Sequence, residues 1–156
     1  MEKTLVIIKP DGLQRRLVGR VISRFEEKGF RIAGLKMVRL RRETAEELYR
    51  AHRGKEFYEP LVRFITSAPV VLVVLEAKDA CRVARKMMGA TLSSEAEPGT
   101  VRGDFALSNR FNLVHGSDDP EKAEEEIRLF FEAEEIHTHE SPDKGWVYDL
   151  SGGDVV

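Results

Sequence analysis

Thr4-Leu5-Val6-Ile7-Ile8-Lys9-Pro10-Asp11-Gly12 is a nearly continuous aliphatic and β-branched run that halts at a proline, an aspartate and a glycine. A strand with one wet face alternates polar and apolar residues. This one does not, so both of its faces should be covered and it should lie inside a sheet. Pro10-Asp11-Gly12 reads as a turn, because proline presets φ and glycine tolerates φ > 0. Lys9 is thereby left at a strand end.

The elements that follow decide what kind of sheet this is. Leu17, Val18, Val21, Ile22 and Phe25 recur at helical spacing up to Lys28, and Gly29 is placed as a C-cap. Phe30 to Leu40 alternates between two unequal faces, as a second strand would. Thr44 and Glu47 match a capping box for a helix to about Arg53 closed by Gly54, and Tyr58 to Thr66 forms another helix with Leu61, Val62 and Ile65 inward. Val70 to Glu76 is the strongest strand. Asp79 is placed to cap a helix to about Met88, with Ala80, Val83, Ala84 and Met87 buried and Gly89 at its end. Ala90 to Asp104 lacks any period and reads as a long loop, a length more often functional than idle. Phe105 to Ser117 is strand-like again. Asp119-Pro120 then starts a helix, as N-cap and N1, whose buried stripe is Ala123, Ile127, Phe130 and Phe131. The tail from Glu134 holds the only tryptophan, Trp146, expected to anchor it to the body or to a neighbouring subunit. The order β-α-β-β-α-β predicts an α/β sandwich of the α+β class: a ferredoxin-like βαββαβ core with a four-stranded antiparallel sheet and additional helices, in one domain over residues 1–156.

Composition narrows the function classes. A chain of 156 residues with 42% hydrophobic and 33% charged residues can bury a core and is not of disordered composition. Its formal net charge of -2 gives no global electrostatic case for nucleic acid or an anionic membrane, so function must be read from sites. The longest strongly apolar run, Pro69 to Leu75, is too short to span a bilayer, and Met1-Glu2-Lys3-Thr4 lacks signal-peptide architecture, so a cytoplasmic setting is expected. The single cysteine, Cys81, falls in a helical pattern and reads as a buried structural thiol. His137 and His139 could pinch a metal on a strand, but a solvated C-terminal segment accounts for them better, and no cluster has zinc spacing; no protein metal ligands are expected.

Asn112-Leu113-Val114-His115-Gly116-Ser117-Asp118 delivers a histidine from an apolar pair onto small polar residues. A neutral imidazole is a competent nucleophile with a pKa of roughly 6.5; the alternative is a histidine satisfied in a core or hairpin turn. Glu126 lies three residues after Ala123 and four before Phe130, at the edge of the packed face of the next helix. There it could hold one nitrogen of His115 and leave the other free, or it could be one of the solvated run Glu124-Glu125-Glu126. Lys9 at a strand end, Arg85 in a helix and Arg102 in Pro98-Gly99-Thr100-Val101-Arg102-Gly103-Asp104 suit phosphate oxygens, although each singly also reads as a solvated cation. No Walker A, G-x-S-x-G or H-E-x-x-H pattern is present.

The stretch from Asn112 to Asp118 resembles the active-site signature of nucleoside diphosphate kinases. The blocks Thr4 to Gly12, Leu17 to Ile22, Arg24 to Phe30, Pro69-Val70-Val71 and Pro98 to Phe105 are similar to the family's in the family's order. The resemblance implies transfer of the γ-phosphoryl group from a nucleoside triphosphate to a nucleoside diphosphate, by a ping-pong route through a phosphohistidine at His115, with broad base specificity. By the same resemblance Lys9, Tyr49, Arg85, Thr91 and Arg102 contact phosphates or the transferring group. Lys9 and Asn112 also reach the ribose, Phe57 stacks on the base, Glu126 orients His115 and Ser117 supports the site. Magnesium (Mg2+) bridging the phosphates is the implied cofactor, and the implied assembly is a homo-oligomer, a hexamer in preference to a tetramer. The chain departs from the family pattern at Asn109, where an apolar residue is common, at Thr91-Leu92-Ser93, which lacks a proline, and at Asp119. A catalytically idle nucleotide-binding or regulatory module of the same fold is the alternative.

Overall fold

The computed structural model describes residues 1–153 and 155. Four strands, β1 (Glu2–Ile8), β2 (Arg31–Val38), β3 (Val70–Ala77) and β4 (Val114–Gly116), form one sheet in the order β2-β3-β1-β4. Every neighbouring pair is antiparallel. The helices are α1 (Pro10–Gln14), α2 (Val18–Glu27), α3 (Arg42–Leu48), α4 (Tyr58–Thr66), α5 (Ala80–Met88), α6 (Val101–Phe105), α7 (Pro120–Phe130) and α8 (Lys144–Val147). The βαββαβ order and the antiparallel sheet agree with the sequence reading.

Both faces of the sheet are covered, which explains why β1 and β3 show no polar alternation. Val6, Ile8, Val73 and Leu75 pack against Val21 and Phe25 of α2 and Ala80, Ala84 and Met88 of α5. Leu5, Ile7, Leu72 and Val74 pack on the opposite side against Ala45 and Leu48 of α3, Val62 and Ile65 of α4, and Phe131 after α7. Each such side chain contributes about 1.5–3 kcal/mol when fully buried, so the two central strands supply much of the folding energy.

The short strand β4 lies on the free edge of β1, with Val114 opposite Ile8, His115 opposite Ile7 and Gly116 opposite Val6. Side chains of directly opposed residues share a face, so this register sends His115 to the side of Ile7, α3 and α7. Gly116 points the other way, where a Cβ would stand 2.2 Å from Met88 Cε. Glycine there lets α5 sit close to β4.

Several local expectations change. Pro10-Asp11-Gly12 is the start of α1 rather than a plain turn, since proline fits a first helical turn. The proposed capping box at Thr44 and Glu47 does not form: α3 begins earlier, at Arg42, Thr44 lies inside it, and after Leu48 the chain tightens into a 3₁₀ turn at Arg50–His52. Asp79 precedes α5 but makes no side-chain cap; its carboxylate pairs with Arg82 at 2.5 Å instead. The long stretch from Ala90 contains a 3₁₀ turn (Ser93–Glu95) and α6, which Thr100 caps by accepting a bond from the Gly103 N–H. Phe105 ends α6, and only Val114–Gly116 of the expected strand pairs in the sheet. Asp119 and Pro120 start α7 as expected, with Asp119 accepting from the Lys122 N–H. Trp146 is 93% exposed, so it does not anchor the tail to the body; Val147 does so against Gly29, and the Tyr148 hydroxyl accepts a bond from the Lys78 N–H.

Candidate functional site

The approach to β4 is bent by Leu113, a buried residue with φ of 69°. That conformation is costly for a side chain with a Cβ, and both of its peptide groups are pinned. The Leu113 N–H donates to Asp11 Oδ2 at 3.0 Å, and its carbonyl accepts from the Lys9 N–H at 2.8 Å. The Val114 N–H closes back onto the Asn112 carbonyl at 2.8 Å. The end of β1 and the start of α1 therefore hold the bend that turns Asn112 toward Lys9 before His115 emerges. Asp11 was legible only as a turn residue; its position two residues after Lys9 was the sole hint.

On the α7 side, His115 Nε2 lies 3.1 Å from Glu126 Oε2, and the Ser117 hydroxyl donates to the same oxygen at 2.6 Å. Ser117 is fully buried and Glu126 nearly so. Burial alone would raise the Glu126 carboxyl, but bonds from His115 and Ser117 outweigh it and hold it below the ordinary glutamate range. An ionised carboxylate only accepts, so Nε2 carries the proton of a neutral ring and Nδ1 keeps a lone pair. Tyr49, the residue after α3, presents its ring edge-to-face to His115 with centroids 6.0 Å apart. Its buried hydroxyl has no hydrogen-bond partner among the described residues, and burial pushes its pKa up, with Glu126 adding to the shift.

On the other side of His115 stands a cationic group. Lys9 Nζ donates to Asn112 Oδ1 at 2.7 Å, and Asn112 Nδ2 donates to the Thr91 carbonyl at 2.8 Å. An ammonium can only donate and a carbonyl can only accept, so the two partners fix the amide's orientation. The Arg102 guanidinium reaches three carbonyls, of Asn112 (3.2 Å), Gly89 (2.7 Å) and Val114 (2.8 Å). Those bonds use three of its five N–H groups. Burial, with Arg102 adding to it and Asp11 opposing, brings Lys9 down to about 8. Burial, reinforced by Arg85, brings Arg102 down to about 10. Each is held closer to neutrality than usual, which is the state a polyanion would relieve. Arg85, in the last turn of α5, bonds the Gly116 carbonyl at 3.3 Å and pairs with Asp118 at 2.6 Å.

Phe57, at the N-terminus of α4, is 51% exposed. It meets His52 edge-on at 5.2 Å, and His52 stacks on Tyr49 at 6.2 Å. Through this aromatic chain Phe57 is joined to His115. His52 was missed from sequence; its spacing of three from Tyr49 on a helical segment was the available signal. The ten residues singled out (Lys9, Tyr49, Phe57, Arg85, Thr91, Arg102, Asn112, His115, Ser117 and Glu126) fall in three contact groups joined through the 112–118 backbone, Thr91 taking part through its carbonyl and Arg85 through the Gly116 carbonyl. Among the described residues no group of three or more His, Cys, Asp or Glu side chains could hold a metal ion. The site as a whole brings together an imidazole nitrogen without a hydrogen-bond partner among the described residues, cations and exposed aromatic surface, which suits transfer of an anionic group.

The sequence matches the family described as Nucleoside diphosphate kinase over residues 2–136. A nucleoside diphosphate kinase of Pelotomaculum thermopropionicum is 52% identical over 96% of this chain and 100% of its own length. One from Methanothermobacter thermautotrophicus is 50% identical over 96% of this chain and 99% of its own. Among solved structures, a halophilic nucleoside diphosphate kinase from Halobacterium salinarum in complex with CDP superposes with a TM-score of 0.93 at 45% identity, covering 95% of this chain and 99% of that one. A nucleoside diphosphate kinase family protein from Babesia bovis gives 0.91 at 36% identity, covering 95% and 100%.

Proposed function

The chain belongs to the nucleoside diphosphate kinase family, phosphotransferases that act on nucleotides, and we propose that it moves the γ-phosphoryl group between nucleotides by a ping-pong mechanism through His115. The observation that carries this reading is the Nε2 contact of His115 with Glu126, which leaves Nδ1 as the free nitrogen. In the first half-reaction the Nδ1 lone pair attacks the γ-phosphorus. The bond from that phosphorus to the β,γ-bridging oxygen breaks, and the nucleoside diphosphate leaves. The ring becomes cationic, with its proton still on Nε2, and Glu126 stabilises that charge through the bond already present in the resting state. In the second half-reaction a β-phosphate oxygen of another diphosphate attacks the same phosphorus and the phosphorus–nitrogen bond breaks. That bond retains a high transfer potential, so the group can leave again.

Phosphoryl transfer needs positioning and charge neutralisation more than covalent help. Lys9, Arg85 and Arg102 supply cations, Tyr49 and Thr91 supply hydroxyls, and Lys9 and Asn112 offer bonds to the ribose. Phe57 gives the base a stacking face, which tolerates every base because each has a π-face. Ser117 fixes Glu126. The donor set fits a magnesium ion (Mg2+) held mainly by phosphate oxygens, with Asp118 the exposed carboxylate at hand. When bound, such an ion would neutralise charge on the phosphates. Exposed Leu35, Met37, Leu107, Phe111 and Trp146 fit a homo-oligomer, and family resemblance favours a hexamer over a tetramer. No helix among the described residues is long and apolar enough to cross a membrane, and with a single unpaired cysteine this fits a cytoplasmic setting. Incubation with γ-labelled ATP tests the mechanism. Acid-labile, base-stable label should appear in the wild type and be absent in His115→Ala, which should still bind nucleotide; turnover by that variant would overturn the assignment.

A further inference from the structure

The segment leaving α5 and the segment entering β4 run past one another in antiparallel register but share no backbone ladder. Side chains bridge them instead. The Gly89 carbonyl and the Val114 carbonyl are joined by the Arg102 guanidinium, and the Thr91 carbonyl is bound by Asn112 Nδ2. Further out, Asn109 Oδ1 accepts from both the Ser94 N–H at 3.0 Å and the Ser94 hydroxyl at 3.2 Å. Arg102 thus ties Gly89 to both Asn112 and Val114, Asn112 ties to Thr91 and Asn109 to Ser94, so the two segments are zipped by side chains. The inner two bridges are buried or partly buried; the Asn109 bridge is exposed.

Asn109 also does something the local sequence cannot. Ser94 lies in the first turn of the Ser93–Glu95 3₁₀ helix, where N–H groups lack partners within the helix. Leu92 occupies the N-cap position and has no side-chain acceptor. Asn109, fifteen residues away, provides the missing acceptor. Because a peptide N–H only donates, the atom facing it must be the amide oxygen.

We infer that Asn109 is a positioning residue of the nucleotide site. By capping the 93–95 turn it fixes the Thr91 carbonyl, which orients the Asn112 amide, which in turn holds Lys9 Nζ at 2.7 Å. This rests on the nucleotide site proposed above. Loss of the tether frees the 90–95 segment and weakens the binding of every nucleotide, whatever its base, while the His115–Glu126 pair on the opposite side keeps its geometry.

Asn109→Ala tests it with two readouts. Amide exchange at Ser94, which does not depend on turnover, should accelerate about fivefold, and KM for both tri- and diphosphates should rise about fivefold with kcat within twofold of wild type. Asn109→Asp, which keeps an acceptor, should restore Ser94 protection and, at an ionic strength that screens the added charge, KM. Ser94→Ala removes one donor and should raise KM about twofold. Unchanged Ser94 exchange in Asn109→Ala would refute the tether. Faster exchange with unchanged KM, or kcat and KM lost together with no recovery in Asn109→Asp, would refute the positioning role. If wild-type enzyme formed no phosphohistidine, the catalytic reading would fall by itself, and the exchange result would still decide the tether.

Discussion

Replacing Glu126 with glutamine separates the chemistry of His115 from nucleotide binding. Glu126 Oε2 accepts from His115 Nε2 and from the Ser117 hydroxyl, in a pocket that leaves the carboxylate nearly inaccessible. Glutamine keeps the volume and one oxygen acceptor but removes the negative charge that offsets the imidazolium formed as Nδ1 attacks. A hydrogen bond to a charged group is worth about 1.5–3 kcal/mol, so phosphorylation should slow about 10- to 150-fold. Nucleotide affinity should hold within about twofold, because Lys9, Arg85, Arg102 and Phe57 are untouched. Rapid-quench measurement of label transfer from γ-labelled ATP, in a single turnover at saturating nucleotide, reads the chemical step alone. A rate within twofold of wild type would refute the claim that the carboxylate stabilises the charged ring, and so would a loss confined to nucleotide affinity.

Four further outcomes are expected. Lys9 is cationic in the free protein only below about 8, so kcat/KM for nucleotide should fall as pH rises through about 8; bound phosphate stabilises the cation, so kcat should fall later, and a kcat/KM flat to high pH would contradict this. Ser117→Ala removes a donor that helps hold the Glu126 carboxyl down, so the acid limb of the kcat profile should move to higher pH. Arg102→Lys replaces a fork that serves three carbonyls with a point charge; thermal denaturation should show about 2–4 kcal/mol lost, or a Tm lower by about 5–15 °C. Gly103→Ala would put a Cβ 1.9 Å from the Glu97 carbonyl oxygen, so the loop before α6 must shift, and the variant should lose at least about 3 kcal/mol.

The fold was legible because its sheet is internal. The unbroken aliphatic runs at Thr4 to Ile8 and Val70 to Glu76 have no other economical use, and the helical periods between them leave room for little but a βαββαβ order. What misled was local chemistry that tertiary contacts overrode. Thr44 and Glu47 have the pattern of a capping box, yet the chain enters α3 earlier, where Arg42 reaches Glu46 and Glu59. Phe105 has a strand-former's side chain, yet Arg20 and Arg24 of α2 both lie over its ring and hold it at the end of α6.

In the site, periodicity offered His115 and Glu126 only as candidates, one ending an apolar run and the other edging a packed stripe, each with a structural alternative left open. Lys9, Arg85 and Arg102 stood out only as cations at element boundaries, and family resemblance supplied their common purpose. Asp11 and His52 carried only weak spacing hints, and Asn109 stood out only as a departure from the family pattern. Asp11 acts on Leu113 and Asn109 on Ser94 across a gap in sequence, whereas His52 links Tyr49 and Phe57 locally. The two long-range pairings exist only once the fold has brought their segments together.

The most direct test of the account concerns which atom carries the phosphoryl group. Protein labelled on histidine nitrogen and phosphorylated by a nucleoside triphosphate should show, by phosphorus–nitrogen correlation NMR, phosphorus bonded to Nδ1 of His115 with Nε2 still protonated. The signal should vanish when a nucleoside diphosphate is added. Phosphorus on Nε2, on any other residue, or on none while turnover continues would contradict it.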